Sequence, residues 1–383
     1  MDKINNELEI NRAEIDRIDK EILTLFASRM EKVMAIAKYK LANNLDITDQ
    51  QREEKVLAQT EVITDPEIKA HAMTLLKTIM DLSKKFQTER FRKSNPDQED
   101  FNVLKYQDEI GITVGFQGLP GSFSEQALIE YYGEGVREQS YASFEGVFKA
   151  LQTEEIDYGV LPLENSFTGG ISEVYDLLSS YGFYIVGEKI IKVDHNLLAG
   201  KGVGMESVTE IISHPQAFLQ CSDFLQGHPE WNLVPGSNTA VSAKMVGESA
   251  AGHQAAIASK RAAEIYDMSV LAEGIHNSTD NSTRFIIIGR KPKCVPENNK
   301  VSLLVAIAHE PGSLYKILSY FAEYGLNMLK IESRPRQGRN WESLFYIDFE
   351  GNLEKQEVKN TVEGIAKESI SFKMLGNYRS DLS

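Results

Sequence analysis

Residues 281–289 read NSTRFIIIG. Asn281, Ser282, Thr283 and Arg284 stand directly before Phe285 and an isoleucine triplet, and the apolar run reads as a buried strand. No Cys, His or acid stands beside them, so they suit hydrogen bonding and anion binding rather than covalent attack or metal ligation. GSFSEQA (121–127), PLENSFTGGI (162–171) and SHPQAF (213–218) also hold small polar groups at the ends of apolar runs. Alone, each suits a turn as well as a site. In a doubly wound fold, such strand ends meet in one crevice. Near the N-terminus, Ile15, Ile18, Ile22, Leu25, Val33 and Ile36 form an apolar stripe at helical spacing. At 100° per residue, Arg29 and Lys40 fall within about 20° of Ile22 and Ile36. Burying an unpaired charge costs several kcal/mol, on the order of 3–5. These cations therefore either reach outward and pair, or line a pocket for an anion.

The elements that position these groups fall into three textures. Residues 5–93 contain no Gly and one Pro, Pro66, and predict helices over about 5–42, 49–60 and 66–92, with Thr48 and Gln51 forming a capping box. From Gly111 to about Gly289, short β-rich runs alternate with helical ones, which predicts α/β architecture with mainly parallel sheets. The last eighty or so residues read β-α-β-β-α-β, with strands near 301–308, 327–334, 343–349 and 370–375 and helices near 312–324 and 353–367, a ferredoxin-like plan. The expected domains are 1–93, 110–290 and 298–383, with a polar linker at 94–109 and a second near 290–300.

The chain has 383 residues, a formal charge of −15, 42% hydrophobic and 25% charged residues. That balance argues against nucleic acid or an acidic membrane as partner, but allows a local cationic pocket. Two cysteines, Cys221 and Cys294, cannot build a metal cluster or a disulfide framework, and suit a cytoplasmic protein. No apolar run approaches a membrane span, and the charged start is no signal peptide. His195 and His214 read as structural, since nothing supplies a third ligand at metal spacing. Neither metal nor cofactor is expected.

A helix over 5–42 would span about 57 Å, whereas a domain of that size is only about 30 Å across. It must pack on something else, and a second copy of the chain is the simplest partner. The stretches NRAEIDRIDKEILTLFASRM, AKYK, DQQREE and DLSKKFQ resemble the all-helical chorismate mutase family over about residues 8–92. The family's motif maps onto Arg12, Arg29, Lys40, Asp49, Arg52, Glu53, Ser83 and Gln87, each with the family's residue type. The resemblance implies that Arg12, Arg29 and Arg52 clamp carboxylates of chorismate, Lys40 and Gln87 donate to its ether oxygen, and Glu53 binds a hydroxyl. It also implies an intertwined homodimer. Arg12 and Arg29 lie 17 residues apart, about 25 Å along a helix, so Arg12 would serve the other subunit's site. Ser83 and Gln87 are one turn apart on one face.

The ordered motifs GLPGSFSEQA, PLENS, HNLL, SHPQA, NTAVSA, AAIAS and STRF resemble prephenate dehydratase over about residues 110–290. The resemblance implies two α/β lobes like those of a periplasmic binding protein, with the site in the cleft. It places Thr283 at the leaving hydroxyl of prephenate and Glu164, Asn165 and Gln216 at other site positions. Arg284 and backbone N–H groups would hold the substrate's carboxylates. Whether Thr283 only polarises the bond or relays a proton from Glu164 is open. HEPGSLYKILSYFAEYGLNMLKIESRP (309–335) resembles the ACT regulatory domain of phenylalanine-sensitive dehydratases. Its motif positions are Gly312, Ser313 and Leu314, then Glu332, Ser333, Arg334 and Pro335, with departures at Ser313 and Tyr315. The expectation is a bifunctional enzyme taking chorismate to prephenate and prephenate to phenylpyruvate. L-phenylalanine would inhibit it, and it would be at least a dimer, with a tetramer open. Two readings compete: a dehydratase whose helical block has become a degenerate dimerisation domain, and a non-catalytic small-anion binding protein. The intact cation set argues against the first. The charged start and the Thr283–Arg284 pair argue against the second.

Overall fold

The structure, a computed structural model, describes residues 2–42, 50–92, 111–133, 135–249, 251–278, 280–335 and 343–381. The expected linker at 94–109, Thr48 and Asp49 lie outside the described residues. The chain divides into two compact units, residues 1–101 and 102–383.

In the first unit, α1 (Asp2–Ala42), α2 (Gln50–Leu57), a short 3-10 turn and α3 (Pro66–Arg92) match the expected helices. Asp65 starts α3, its Oδ1 accepting from Glu67 N at 2.9 Å and Ile68 N at 3.1 Å. Ala37 and Met80 are buried. Ile15, Ile18, Ile22, Leu25 and Ile36 are exposed within a single chain. The stripe expected to face a core is thus not covered by this chain's own helices.

The second unit begins with β1 (Thr113–Gln117), α4 (Phe123–Tyr132), β2 (Arg137–Tyr141), α5 (Phe144–Gln152), β3 (Tyr158–Asn165), β4 (Gly169–Gly170), α6 (Ser172–Tyr181) and β5 (Tyr184–Lys192). The chain then builds a second sheet. Its elements are β6 (Asn196–Ala199), β7 (Glu210–Ser213), α7 (Pro215–Gln220), α8 (Ser222–Gln226), β8 (Asn232–Pro235), α9 (Thr239–Glu248), β9 (Gln254–Ala258), α10 (Lys260–Ile265) and β10 (Ser269–Ala272). It returns through β11 (Ser282–Gly289). The first sheet runs β2-β1-β3-β11-β5, with β4 on β3, and the second β10-β6-β9-β7-β8. The expectation of mainly parallel sheets is corrected. β11 lies between β3 and β5, antiparallel to both, because the strand that returns from the second sheet enters the first from its opposite end. β6 is likewise antiparallel to β9 and β10.

The two sheets touch through the loop before α4. Ser259 Oγ donates to Gly121 O at 2.7 Å, Tyr266 Oη to Pro120 O at 2.7 Å, and Arg261 Nε to Glu125 Oε2 at 2.9 Å. Gly121 has φ +87°, and a Cβ there would meet Ala262 Cα at 2.9 Å. Glycine is required by both conformation and space.

The last elements are β12 (Lys300–Ala306), α11 (Ser313–Glu323), β13 (Met328–Pro335), β14 (Ser343–Glu350), α12 (Gln356–Glu368) and β15 (Ser371–Tyr378). They form an antiparallel sheet in the order β13-β14-β12-β15. One face packs on α11 and α12 through Val301, Leu303, Ile317, Phe321, Ile347, Phe349, Val358 and Ile365. Leu304, Tyr346, Leu375 and Tyr378 on its other face join one apolar cluster with Phe148, Leu161, Tyr175, Leu178 and Ile286. The blocks expected as separate domains therefore share a core and form one compact unit.

Candidate active sites

β3 and β11 bring the opening motif together with PLENS. Thr283 pairs with Asn165 in the ladder, and Arg284 with Glu164. Side chains alternate across a sheet, so Thr283 and Asn165 share one face. The Asn165 amide is oriented without ambiguity, because its Oδ1 accepts from Phe167 N at 3.0 Å and Thr168 N at 3.2 Å. Its Nδ2 donates to Asn281 Oδ1 at 2.8 Å, Ser282 O at 3.2 Å and Thr283 Oγ1 at 3.0 Å. Nδ2 has only protons to offer, so Thr283 Oγ1 accepts, and its own proton is left for another partner.

Thr283 and Asn165 open into a cleft of about 250 Å³. Gln117, Ser122, Pro162 and Phe285 line it from the first sheet's side, and His195, His214, Gln216, Gln220, Asn238 and Thr239 from the second's. No lysine or arginine is among the described residues lining it. Two ten-residue helices begin at its wall. Ser122 caps α4, accepting from Glu125 N, and Asn238 caps α9, accepting from Val241 N at 2.7 Å. Helix N-termini offer unpaired N–H groups and a partial positive charge to an anion.

His195 and His214, which read from sequence as structural, both line the cleft. His214 caps α7, its Nδ1 accepting from Gln216 N at 3.2 Å. His195 Nε2 lies 2.7 Å from the side-chain amide of Gln220. Burial pushes the His195 pKa down, disfavouring the charged ring. Sequence reasoning missed Asn238, Ser122 and Gln220 as site residues. The NTAVSA and GSFS motifs contain two of them, and the N-cap pattern is the signal that could have found them.

Two expected site residues are corrected. Arg284 does not reach the cleft. It points to the opposite face of the sheet, where Nε donates to Glu188 Oε2 at 2.6 Å, Nη1 to Asp348 Oδ2 at 2.6 Å and Glu164 Oε1 at 3.1 Å, and Nη2 to Tyr378 Oη at 2.7 Å. Burial opposes its charge, but Tyr378, Asp348 and Glu188 raise its pKa well above the ordinary value. Glu164 lies beside it on that face, bonded also by Lys330. The reason is strand parity, since neighbours in sequence point to opposite faces.

In the helical unit, Arg29 Nη1 donates to Ser83 Oγ across α1 and α3, and Gln87 Nε2 to Val33 O at 3.4 Å. Ser83 and Gln87 are buried on α3's inner face. Lys40 and Glu53 are half-buried, and Arg52 is exposed. Lys84, not singled out from sequence, donates to Glu53 Oε2 at 2.9 Å. Arg12 is exposed and pairs with Glu9 at 2.9 Å.

In the C-terminal sheet, Gly312 has φ +86° and stands at the start of α11, followed by Ser313 and Leu314. The expected effector set around β13 divides. Ser333 and Pro335 are exposed, whereas Glu332 and Arg334 alternate onto the half-buried face. Arg334 is drawn to α6, donating to Asp176 at 3.3 Å and to Ser172 Oγ. Its guanidinium is thus engaged by the middle block rather than left at the outer surface of β13.

Two sheets meeting at a cleft lined by polar side chains, with a separate helical unit holding a buried amide and half-buried cations, suit an enzyme handling small anions at two places. Residues 114–293 match the sequence model of prephenate dehydratase, and residues 11–88 that of chorismate mutase type II. A bifunctional chorismate mutase/prephenate dehydratase from Buchnera aphidicola subsp. Acyrthosiphon pisum is 33% identical over 384 residues, covering 98% of this chain and 97% of that protein. A solved structure described as prephenate dehydratase in complex with L-Phe, from Arthrobacter aurescens, has a TM-score of 0.66 at 30% identity, covering 70% of this chain and 90% of that one. Another, described as a quorum quenching acylase, has a TM-score of 0.65 at 29% identity, covering 70% of this chain and 99% of that one. The chain belongs to the bifunctional chorismate mutase/prephenate dehydratase family and carries both enzyme domains.

Proposed function

We propose that the helical unit rearranges chorismate to prephenate, that the cleft at Thr283 converts prephenate to phenylpyruvate, and that the C-terminal sheet is an ACT sensor through which L-phenylalanine inhibits. The observation that carries the second step is the orientation of the Asn165–Thr283 pair. Prephenate takes up one proton and loses CO2 and water to become phenylpyruvate. Aromatisation drives the loss, so the enzyme must chiefly help the ring hydroxyl leave. Thr283, with its oxygen already engaged by Asn165, donates its proton's hydrogen bond to that hydroxyl. A donor aimed at developing charge contributes about 10²–10³ in kcat. With no lysine or arginine among the described residues of the cleft wall, the carboxylates are met by the N-termini of α4 and α9 and by Gln216.

The first step needs no nucleophile. Arg29 and Arg52 would clamp the carboxylates of chorismate, Lys40 and Gln87 would donate to its ether oxygen, and Glu53 would bind a hydroxyl, with Asp49 and Ser83 completing the motif. The exposed face of Ile15, Ile18, Ile22 and Leu25 supports pairing with a second copy, whose Arg12 completes the site. Gly312, Ser313, Leu314 and Ser333 would frame the effector, with Glu332, Arg334 and Pro335 supporting them from β13. The two-sheet plan with a cleft supports periplasmic-binding-protein-like lobes.

The test gives purified protein chorismate alone and follows prephenate and phenylpyruvate together, with and without millimolar L-phenylalanine. Transient prephenate followed by phenylpyruvate, slowed by the amino acid, is expected. Accumulation of prephenate alone would overturn the role of Thr283.

A further inference from the structure

The face of β3 and β11 opposite the cleft is covered by the C-terminal sheet, and the cover is ionic. Arg284, Lys300 and Lys330 meet Glu164, Glu188 and Asp348, three cations against three anions. Lys300 Nζ lies 2.9 Å from Glu188 Oε2, and Ser302 Oγ donates to Asp348 Oδ1 at 2.5 Å. Burial alone would push the Asp348 carboxyl up, yet Arg284 and Lys300 bring it below its ordinary range. Lys330 and Asp348 are partners in the β13–β14 ladder. Lys330 grips Glu164, and Asp348 grips Arg284 at 2.6 Å. Glu164 and Arg284 are the chain neighbours of Asn165 and Thr283.

The ladder between β3 and β11 is also irregular at this point. Arg284 pairs with Glu164, but Phe285 pairs with Pro162, so Leu163 is an extra residue. A bulge loosens the backbone's own hold on register and re-aims nearby side chains. The groups on the far face then decide where the strand end sits.

We propose that Lys330 and Asp348 are positioning residues for the cleft: through Glu164 and Arg284 they fix the aim of the Asn165–Thr283 pair, so that the placement of the C-terminal sheet sets turnover on the opposite face. The proposal rests on the reading of the cleft as the dehydratase site. It makes β13 the physical link between the two. This strand also carries Ser333 and Arg334, so a ligand that shifts it moves Glu164 with it.

The test is Lys330→Met in the full chain, with Lys330→Arg as the conservative variant and Asp348→Asn as a second route. Mutase turnover, from the separate helical unit, reports the amount of working protein, and an unchanged far-UV circular dichroism spectrum and melting transition report that the second unit is folded. For Lys330→Met, kcat on prephenate should fall about tenfold with KM within about threefold, a loss of transition-state rather than ground-state interaction. Lys330→Arg should recover most of it. Amide hydrogen exchange over 282–285 should quicken in Lys330→Met. A raised KM at unchanged kcat, or unchanged kcat with unchanged exchange, overturns the proposal. Should Asp348→Asn lose the fold, the half-buried Lys330 decides. A wild type that consumes no prephenate would sink the dehydratase reading alone, and faster exchange in Lys330→Met would still uphold the link.

Discussion

Asn165 Nδ2 donates to Thr283 Oγ1 at 3.0 Å, while Asn165 Oδ1 is held by two backbone N–H groups. One amide therefore decides which way a hydroxyl proton points. Asn165→Asp is nearly isosteric but offers only acceptors, so the Thr283 proton turns from the cleft to the new carboxylate. Dehydratase kcat should drop about 10²-fold, the cost of losing a preorganised donor. Steady-state assays on prephenate check it, and a loss confined to KM would contradict it.

The hydroxyl itself is tested by Thr283→Ser against Thr283→Ala. Serine keeps a donor at the same place but loses the stiff β-branched rotamer. We expect Thr283→Ser within about tenfold of wild type and Thr283→Ala down about 10²–10³-fold. Full activity in Thr283→Ala would end the assignment.

The mutase sites are predicted to be shared between copies. Arg12→Ala and Lys40→Ala should each abolish most mutase turnover. Refolded together at equal amounts, they should recover about a quarter of wild-type activity, since half the dimers are mixed and one of their two sites is intact. Silence in the mixture would place both residues in one subunit's site.

Gly376 on β15 faces the backbone of β5. A Cβ there would lie 2.0 Å from Ile185 O. Gly376→Ala must push the C-terminal sheet off the middle block, at about 3 kcal/mol or more. Thermal unfolding of the second unit should move down by several degrees. An unchanged melting temperature would mean the two strands can part without cost.

Lys373 bridges the same junction, donating to Leu178 O at 3.0 Å, and burial pushes its pKa down to about 8. Unfolded, it titrates near its ordinary value of about 10.4. Between those values the unfolded chain binds more protons, so stability from this group rises with pH across the window, and its penalty is complete below about pH 8. Lys373→Met removes that slope. The melting temperature of the variant relative to wild type should be highest near pH 7 and decline towards pH 10, and parallel pH profiles would refute it.

Much of the architecture is legible in the residues themselves. The absence of Gly and the single Pro over 5–93 predict three helices because capping and backbone entropy act locally. The strand ends at Asn165, Gln216 and Thr283 point to one cleft because α/β connections place loops at a common sheet edge. Their residue types carry the chemistry.

What local rules cannot decide is facing. Thr283 and Arg284 are adjacent, and by type both are fit to touch substrate. Only the pairing of β11 with β3, and the sheet laid over the far side, sends the hydroxyl to the cleft and the guanidinium to Glu188, Asp348 and Tyr378. Glu164 and Arg334 depart from their expected places for the same cause. The apolar stripe of α1 shows the converse, since helical period marks Ile15, Ile18 and Ile22 as a contact face but not what they contact. Residue type and spacing are properties of the chain and determine which groups, helices and strands exist. Which face each group meets depends on contacts between residues far apart in sequence, and tertiary structure alone supplies those.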